Sequence, residues 1–302
     1  MNFLDLPDLR LHYLRQGSGP PLILLHGWPE WSGVWSRNLP VLAETFDVIA
    51  PDLRNFGDSR GAEAKDVAHY VADIEALADG LGLERFGIVC HDIGGFLAQD
   101  YARIHPERLA GLFFFDCPHF GIGPRWVQGQ QVREIWYQSF HQLPLALELV
   151  GASRESCRAY FRHFLGHWAG SPDAFDAADL EEWVDNFLKP GNLAGGFRWY
   201  ACANERRLKA MAAGGEDASP INIPAYSLWG AADPILRAEW QETLTGVFTD
   251  IQLGQAPGAG HFVAWEAPDL AADRIIRFFQ ARFAAQSPAI PPRTDRRRRP
   301  DG

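Results

Sequence analysis

Phe86-Gly87-Ile88-Val89-Cys90-His91-Asp92-Ile93-Gly94-Gly95 is the stretch on which the reading of this chain turns. An apolar run of strand type stops at a tight turn and passes at once into a helical pattern. A strand, a sharp turn and a helix, with small residues around the turn, make a nucleophile elbow, usually written G-x-S-x-G. Asp92 stands here in the serine position. The residue type limits the chemistry. A serine hydroxyl suits attack on a carbonyl, whereas a carboxylate is a weak carbonyl nucleophile. A carboxylate can, however, displace a leaving group from saturated carbon and become an alkyl ester on the protein itself. Opening of an epoxide ring or loss of a halide are the reactions this suggests.

The pattern continues on both sides. Strand-type runs at Pro21–Leu25, Phe46–Ala50, Phe86–Cys90 and Leu109–Phe115 alternate with helical periodicity over Val67–Leu81 and Gly94–Ile104. Such alternation predicts an α/β fold: a mostly parallel central sheet flanked by helices. From Pro118 to Ala213 strand runs give way to four helical segments, roughly Gln130–Leu149, Arg154–His167, Ala177–Phe187 and Gly195–Met211. Strand patterning resumes at Ala225–Trp229 and Ile251–Leu253, and a helix near Asp269–Phe283 closes the pattern. The expected organisation is a core of residues 1–117 and 214–286, an inserted helical cap of residues 118–213, and a disordered Pro/Arg-rich tail of residues 287–302. A helical lid above the carboxyl ends of parallel strands would close a pocket there.

With 302 residues the chain is long enough for one large α/β domain carrying an insertion. Hydrophobic content of 47% and charged content of 22% are those of a globular protein. The net charge of −10 argues against a nucleic-acid surface. The basic run Arg296–Arg299 lies in the tail and reads as a solvated segment. No long apolar stretch or basic-then-apolar N-terminus is present, so no membrane span is expected. Cys90, Cys117, Cys157 and Cys202 have neither disulfide-framework nor metal spacing, which fits reduced thiols in the cytoplasm. No metal or organic cofactor is implied. Oligomeric state, monomer or homodimer, is left open.

Two further residues complete a constellation with Asp92. Asp233 follows one of the later strand runs, in Trp229-Gly230-Ala231-Ala232-Asp233, and His261 follows the next, in Gly260-His261-Phe262. Nucleophile, acid and histidine come in that chain order. Opening an alkyl ester needs an activated water. His261 can take its proton if Asp233 orients the ring and stabilises the imidazolium. Water would attack the Asp92 carbonyl carbon, so the oxyanion forms on the enzyme's own side chain. The backbone N–H groups of Trp28 and Ile93 are the expected donors to it. In His26-Gly27-Trp28-Pro29, Gly27 allows close approach and Pro29 fixes the exit of the turn. Asp116 also ends a strand and is the alternative acid. His91, on an extended segment, points away from Asp92 and reads as structural.

These motifs resemble those of the α/β-hydrolase-fold epoxide hydrolases, soluble bacterial type, over roughly Leu4 to Ala284. Trp136-Tyr137-Gln138-Ser139-Phe140-His141-Gln142-Leu143 and Gly195-Gly196-Phe197-Arg198-Trp199-Tyr200 are similar to the cap segments that carry the family's two ring-opening tyrosines. The resemblance implies that Tyr137 and Tyr200 hold the epoxide oxygen while Asp92 attacks from the opposite side. A phenol with an ordinary pKa of about 10 can donate to a developing alkoxide at neutral pH. Trp28, Pro29, Trp136 and Phe262 are the expected pocket residues, and the tryptophan-rich surroundings suggest an apolar or aryl epoxide as the partner of water. Cys90 and Asn55 stand where the family usually has glycine; asparagine tolerates the left-handed conformation better than most residues. Two other readings remain. A haloalkane or haloacid dehalogenase would use the same nucleophile, although Ile93 stands where those enzymes carry tryptophan or arginine. A non-catalytic ligand-binding protein would have no need for the intact constellation.

Overall fold

The computed structural model describes residues 2–216 and 219–284; the expected tail, residues 287–302, lies outside the described residues. Among the described residues nine strands form one sheet: β1 (Asn2–Leu6), β2 (Leu9–Gly17), β3 (Pro21–Leu25), β4 (Asp47–Pro51), β5 (Arg60–Gly61), β6 (Phe86–His91), β7 (Leu109–Phe115), β8 (Ala225–Gly230) and β9 (Ile251–Ala256). Their order is β1-β2-β4-β3-β6-β7-β8-β9, with β5 paired to β2. From β4 to β9 every pairing is parallel; β2 runs antiparallel to β1, β4 and β5. The central strands are buried on both faces. Leu22–Leu25 and Ile88–Cys90 are wholly inaccessible, which is why these strands read as unbroken apolar runs.

The longer helices are α1 (Val67–Gly80), α2 (Asp92–Ile104), α3 (Arg154–Trp168), α4 (Ala177–Leu188), α5 (Asn192–Ala212) and α6 (Pro268–Ala284). Local chemistry sets several starts. Asp66 accepts from the His69 N–H at the start of α1, Ser153 from the Ser156 N–H at α3, and Asp176 with Asp179 forms a reciprocal capping box at α4. Among the described residues between β7 and β8, the regular elements are helical apart from a single bridge between Ile221 and Phe248. These helices are tied to the loops that leave the strands. Trp183 Nε1–H donates to the Pro29 carbonyl, Asn192 to that of Gly57, and the His261 N–H to that of Trp168.

The expected helix over Gln130–Leu149 is instead three short pieces, Gln131–Glu134, Trp136–Phe140 and Pro144–Val150. Leu143 is held extended, as a residue preceding proline must be to avoid the ring. Helix α5 starts one turn earlier than its apolar period suggests. The β1–β2 hairpin has no counterpart in the sequence reading, although the alternation in Leu9-Arg10-Leu11-His12-Tyr13 is a period-2 signal that could have marked it.

The ends of β8 and of the segment before His261 meet at Gly230. A Cβ there would lie 1.8 Å from the Gly260 carbonyl oxygen, a backbone atom that cannot rotate away. Gly230→Ala is expected to lower the unfolding free energy in urea by about 2 kcal/mol. Gly82→Ala, with positive φ but no atom within 4 Å of the added carbon, should lose about 1 kcal/mol. Equal losses would show that the two loops do not press together.

Candidate active site

Asp92 sits at the carboxyl end of β6 and opens α2 with a φ of 44°, a left-handed conformation imposed by the turn. The strain has a geometric result: the carboxylate projects from the sheet end instead of packing against it. Gly27 makes the neighbouring loop fit, since a Cβ on it would come within 2.7 Å of the Asp92 Cβ. His26 fixes that loop. Its Nε2 accepts from the Leu53 N–H at 3.0 Å, which leaves Nδ1–H to donate to the Gly27 carbonyl at 2.8 Å. The Trp28 N–H then donates to Asp92 Oδ2 at 3.0 Å.

Asp233 and His261 arrive from the ends of β8 and β9. His261 Nδ1–H donates to Asp233 Oδ2 at 2.8 Å, and Asp233 Oδ1 accepts from the N–H groups of Ile235 and Leu236. Both residues are buried. His261 Nε2 is buried and has no partner among the described residues. Burial lowers the affinity of His261 for a proton, but the charge and hydrogen bond of Asp233, followed by the charges of Asp92 and Glu30, outweigh it and push its pKa up to about 9. Asp92 is raised in turn by loss of water, against the opposing pull of His261, His91 and the Trp28 N–H.

Asp116, the alternative acid, lies against Asp233 and has no hydrogen bond with His261. It accepts from the Gly230 N–H at 2.8 Å, and burial together with the Asp233 charge raises it well above the carboxylate range. The imidazole is thus paired with Asp233. His91 has its own partner, with Nδ1 2.8 Å from Glu30 Oε2, while Glu30 also accepts from the Gly27 N–H. The His91 ring lies 4.6 Å from that of His261, so this second buried pair backs the first. Sequence reading gave Glu30 no role; its place one residue after Pro29 was the only available hint.

Tyr137 and Tyr200 come together from separate helices. Their ring centroids are 5.5 Å apart and perpendicular, and Trp28 packs under both, stacked on Tyr137 and edge-on to Tyr200. Burial and the Asp92 charge keep both phenols protonated far above neutral pH. The two hydroxyls also affect each other's ionisation.

Asp92, Ile93, Tyr137 and Tyr200 line one cavity of about 380 Å³, whose wall is mostly apolar and includes Phe96, Phe120, Trp126 and Trp199. The expected pocket residues need correction here. None of Trp28, Pro29, Trp136 and Phe262 lines this cavity. Trp28 is buried beneath the tyrosines, and a Cβ on Gly196 would meet its indole nitrogen at 3.3 Å. Pro29 accepts from Trp183, Phe262 packs among Trp168 and Phe175, and Trp136 is 43% exposed on a separate surface cleft. Aromatic count marked the region but not which ring faces inward. A better signal was the i, i+3, i+7, i+11 spacing of Tyr200, Ala203, Arg207 and Met211 along α5, all of which line the cavity.

Among the described residues one group has metal-compatible spacing, His12, Asp52 and Asp58. It is remote in role as well as sequence: Asp52 already accepts from the N–H groups of Ser32 and Asp58 and from His12, holding the loop after β4. All four cysteines are free and buried. No helix among the described residues is long and apolar enough to cross a membrane.

The alpha/beta hydrolase fold family matches residues 20–268 of this chain. The soluble epoxide hydrolase of Corynebacterium sp. strain C12 is 31% identical, over 89% of this chain and 93% of that protein. The fluoroacetate dehalogenase of a Burkholderia species is 30% identical, over 91% of this chain and 92% of that protein. The solved structure of the epoxide hydrolase CorEH, without ligand, superposes with a TM-score of 0.82 at 29% identity, covering 93% of this chain and 98% of its own.

The shared field of Asp92 and His261 gives a direct test. Asp92→Asn removes one of the charges that raise His261 and leaves the burial that lowers it. The imidazole should therefore titrate below about 9 in the variant, as followed by NMR of its carbon-bound protons. An unchanged titration would show that the two side chains do not sense each other.

Proposed function

The chain belongs to the alpha/beta hydrolase fold family, and on that premise we propose that it is an epoxide hydrolase, converting an epoxide to a vicinal diol through an alkyl ester on Asp92. The observation that carries the reading is the cavity in which one carboxylate faces two protonated phenols. A cap of residues 118–213 would supply the phenols and a core of residues 1–117 and 214–286 the carboxylate.

The proposed sequence of events follows from atoms already placed. Asp92 Oδ2 is held by the Trp28 N–H, so Oδ1 is the oxygen free to attack the epoxide carbon. Tyr137 and Tyr200 donate to the epoxide oxygen on the far side, and one of them gives up its proton as the C–O bond breaks. Ester formation neutralises Asp92. That removes a charge raising the pKa of His261, so the pKa falls from about 9 and a larger share of the imidazole is unprotonated when water must be deprotonated. Water attacks the ester carbon, Oδ2 becomes the oxyanion, and the N–H groups of Trp28 and Ile93 stabilise it. Collapse of the oxyanion breaks the bond between the Asp92 carboxyl carbon and Oδ1; the departing diol oxygen takes a proton from the imidazolium that Asp233 holds, and the second proton of the attacking water returns to the tyrosinate, which restores the Asp92 carboxylate.

The dehalogenase reading is less well supported by the same wall. A two-carbon haloacid must place its carboxylate within a few ångströms of the nucleophile. Ile93 and Phe96 occupy that neighbourhood, and the arginines of the cavity, Arg206 and Arg207, lie almost two turns of α5 beyond Tyr200. The Trp28 indole N–H, close to Gly196, is buried without a hydrogen-bond partner among the described residues, and Trp28 does not line this cavity.

His261→Gln should form the ester but not hydrolyse it. Intact-protein mass spectrometry after incubation with styrene oxide should show an adduct of substrate mass that disappears in the Asp92→Asn, His261→Gln double variant. Absence of adduct in a folded His261→Gln protein, while wild type makes diol, would reject the covalent route. Tyr137→Phe and Tyr200→Phe are each expected to slow ring opening by about 10- to 10⁴-fold, and the double variant to stop it, in a stopped-flow measurement of tryptophan quenching. Halide release from fluoroacetate or chloroalkanes faster than diol formation would favour the dehalogenase instead.

A further inference from the structure

Helix α5 runs the length of the cavity and gives it two chemically different ends. Tyr200 stands beside Asp92, and Ala203, Arg207, Ala210 and Met211 follow on the same helix face. Seven positions separate Tyr200 from Arg207, which at 1.5 Å per residue is about 10 Å along the helix. Between them the wall is apolar: Phe96, Phe120, Trp126 and Leu236. At the outer end three charged side chains line the cavity, Arg206, Arg207 and Glu216.

The two arginines are not equivalent. Arg206 is pinned. It donates to Asp100 and to Glu216, and its guanidinium lies 5.0 Å over Phe96 and 5.3 Å over Phe120. Its charge is met by Asp100 and Glu216, and Asp100 also lies 3.8 Å from Arg103, so two carboxylates are matched by two guanidiniums. Arg207, the next residue, is exposed at the mouth and has no hydrogen bond or ion pair among the described residues. The one cation of the cavity wall without a described partner thus sits at the end of an apolar passage that begins at the nucleophile.

We propose that Arg207 makes this cavity selective for elongated epoxides that carry a carboxylate about 10 Å from the oxirane ring. The apolar middle of such a substrate fills the passage, the oxirane reaches Tyr137, Tyr200 and Asp92, and the carboxylate meets the guanidinium in the fork geometry that suits both groups. The inference rests on the epoxide hydrolase reading and deepens it, since a short neutral epoxide would use only the inner end.

The test uses two readouts on full-length wild type and on the Arg207→Gln, Arg207→Glu and Arg207→Lys variants. The first is the ratio of kcat/KM for a terminal epoxide of an eleven-carbon carboxylate to that for its methyl ester. Wild type should prefer the carboxylate by roughly 5-fold at low salt, the size of an exposed ion pair. Arg207→Gln should bring the ratio to about one, Arg207→Glu should invert it, and Arg207→Lys should retain a preference. Added salt should shrink it as well. The second is calorimetric binding of undecanoate against its methyl ester, which needs no turnover and should show the same order. Turnover of both epoxides with a ratio that ignores residue 207, or equal binding of undecanoate to wild type and Arg207→Gln, would overturn the proposal. If neither epoxide is opened, the catalytic reading fails, and the calorimetric arm still decides whether Arg207 receives the anion.

Discussion

The structure depends on keeping one carboxylate at the edge of an apolar cavity. Removing Asp92 from water raises the free energy of its charged form, and three partners oppose that cost: the charges of His261 and His91 and the Trp28 N–H. Each comes from a different loop, after β9, at the end of β6 and after β3. The sheet therefore does more than bury apolar strands. It delivers these loops to one end and holds them there through fixed backbone contacts such as that between Gly230 and Gly260. The buried pair of Glu30 and His91 extends the same electrostatics one layer deeper.

The helical segment contributes a complementary constraint. Phenols are useful donors only while protonated, and burial beside a negative charge ensures that for Tyr137 and Tyr200. Trp28 serves both halves: its backbone binds Asp92, and its indole supports the two tyrosine rings. A displacement of that loop would disturb the carboxylate and the two phenols together. Trp168 links them again, since its carbonyl accepts from the His261 N–H while its ring packs on Tyr137 and His261. Helix α5 then sets the shape of the space between, because one of its faces lines the cavity from Tyr200 to Met211.

Much of this was legible in the chain. Strands buried on both faces leave continuous apolar runs, so β3, β6, β7 and β8 were visible, and the elbow at Asp92 was marked by the small residues its turn requires. Asn55 adopts the left-handed conformation its residue type allows, with φ of 61°. The edge hairpin was missed because polar residues are spread through both strands, so neither leaves the continuous apolar run that marks a buried strand, although the start of β2 alternates. The break at Leu143–Pro144 was missed because apolar periodicity ran through it, although proline supplied the stop. The pocket residues were misplaced for a different reason. Trp28 and Trp136 are adjacent in function by sequence motif, but orientation of a ring is fixed by what packs on its other face, and no local pattern encodes that.

The sequence by itself determined that a carboxylate stands at the elbow, the alternation of strands and helices, and the chain order of Asp92, Asp233 and His261, since backbone propensity, periodicity and residue chemistry are local properties. Only the tertiary structure decided that His261 pairs with Asp233 instead of Asp116, that two tyrosines from separate helices meet above Trp28, and that Arg206 is neutralised while Arg207 is left facing the cavity mouth. Those outcomes depend on distances between atoms far apart along the chain, and Coulomb and hydrogen-bond energies are functions of those distances alone.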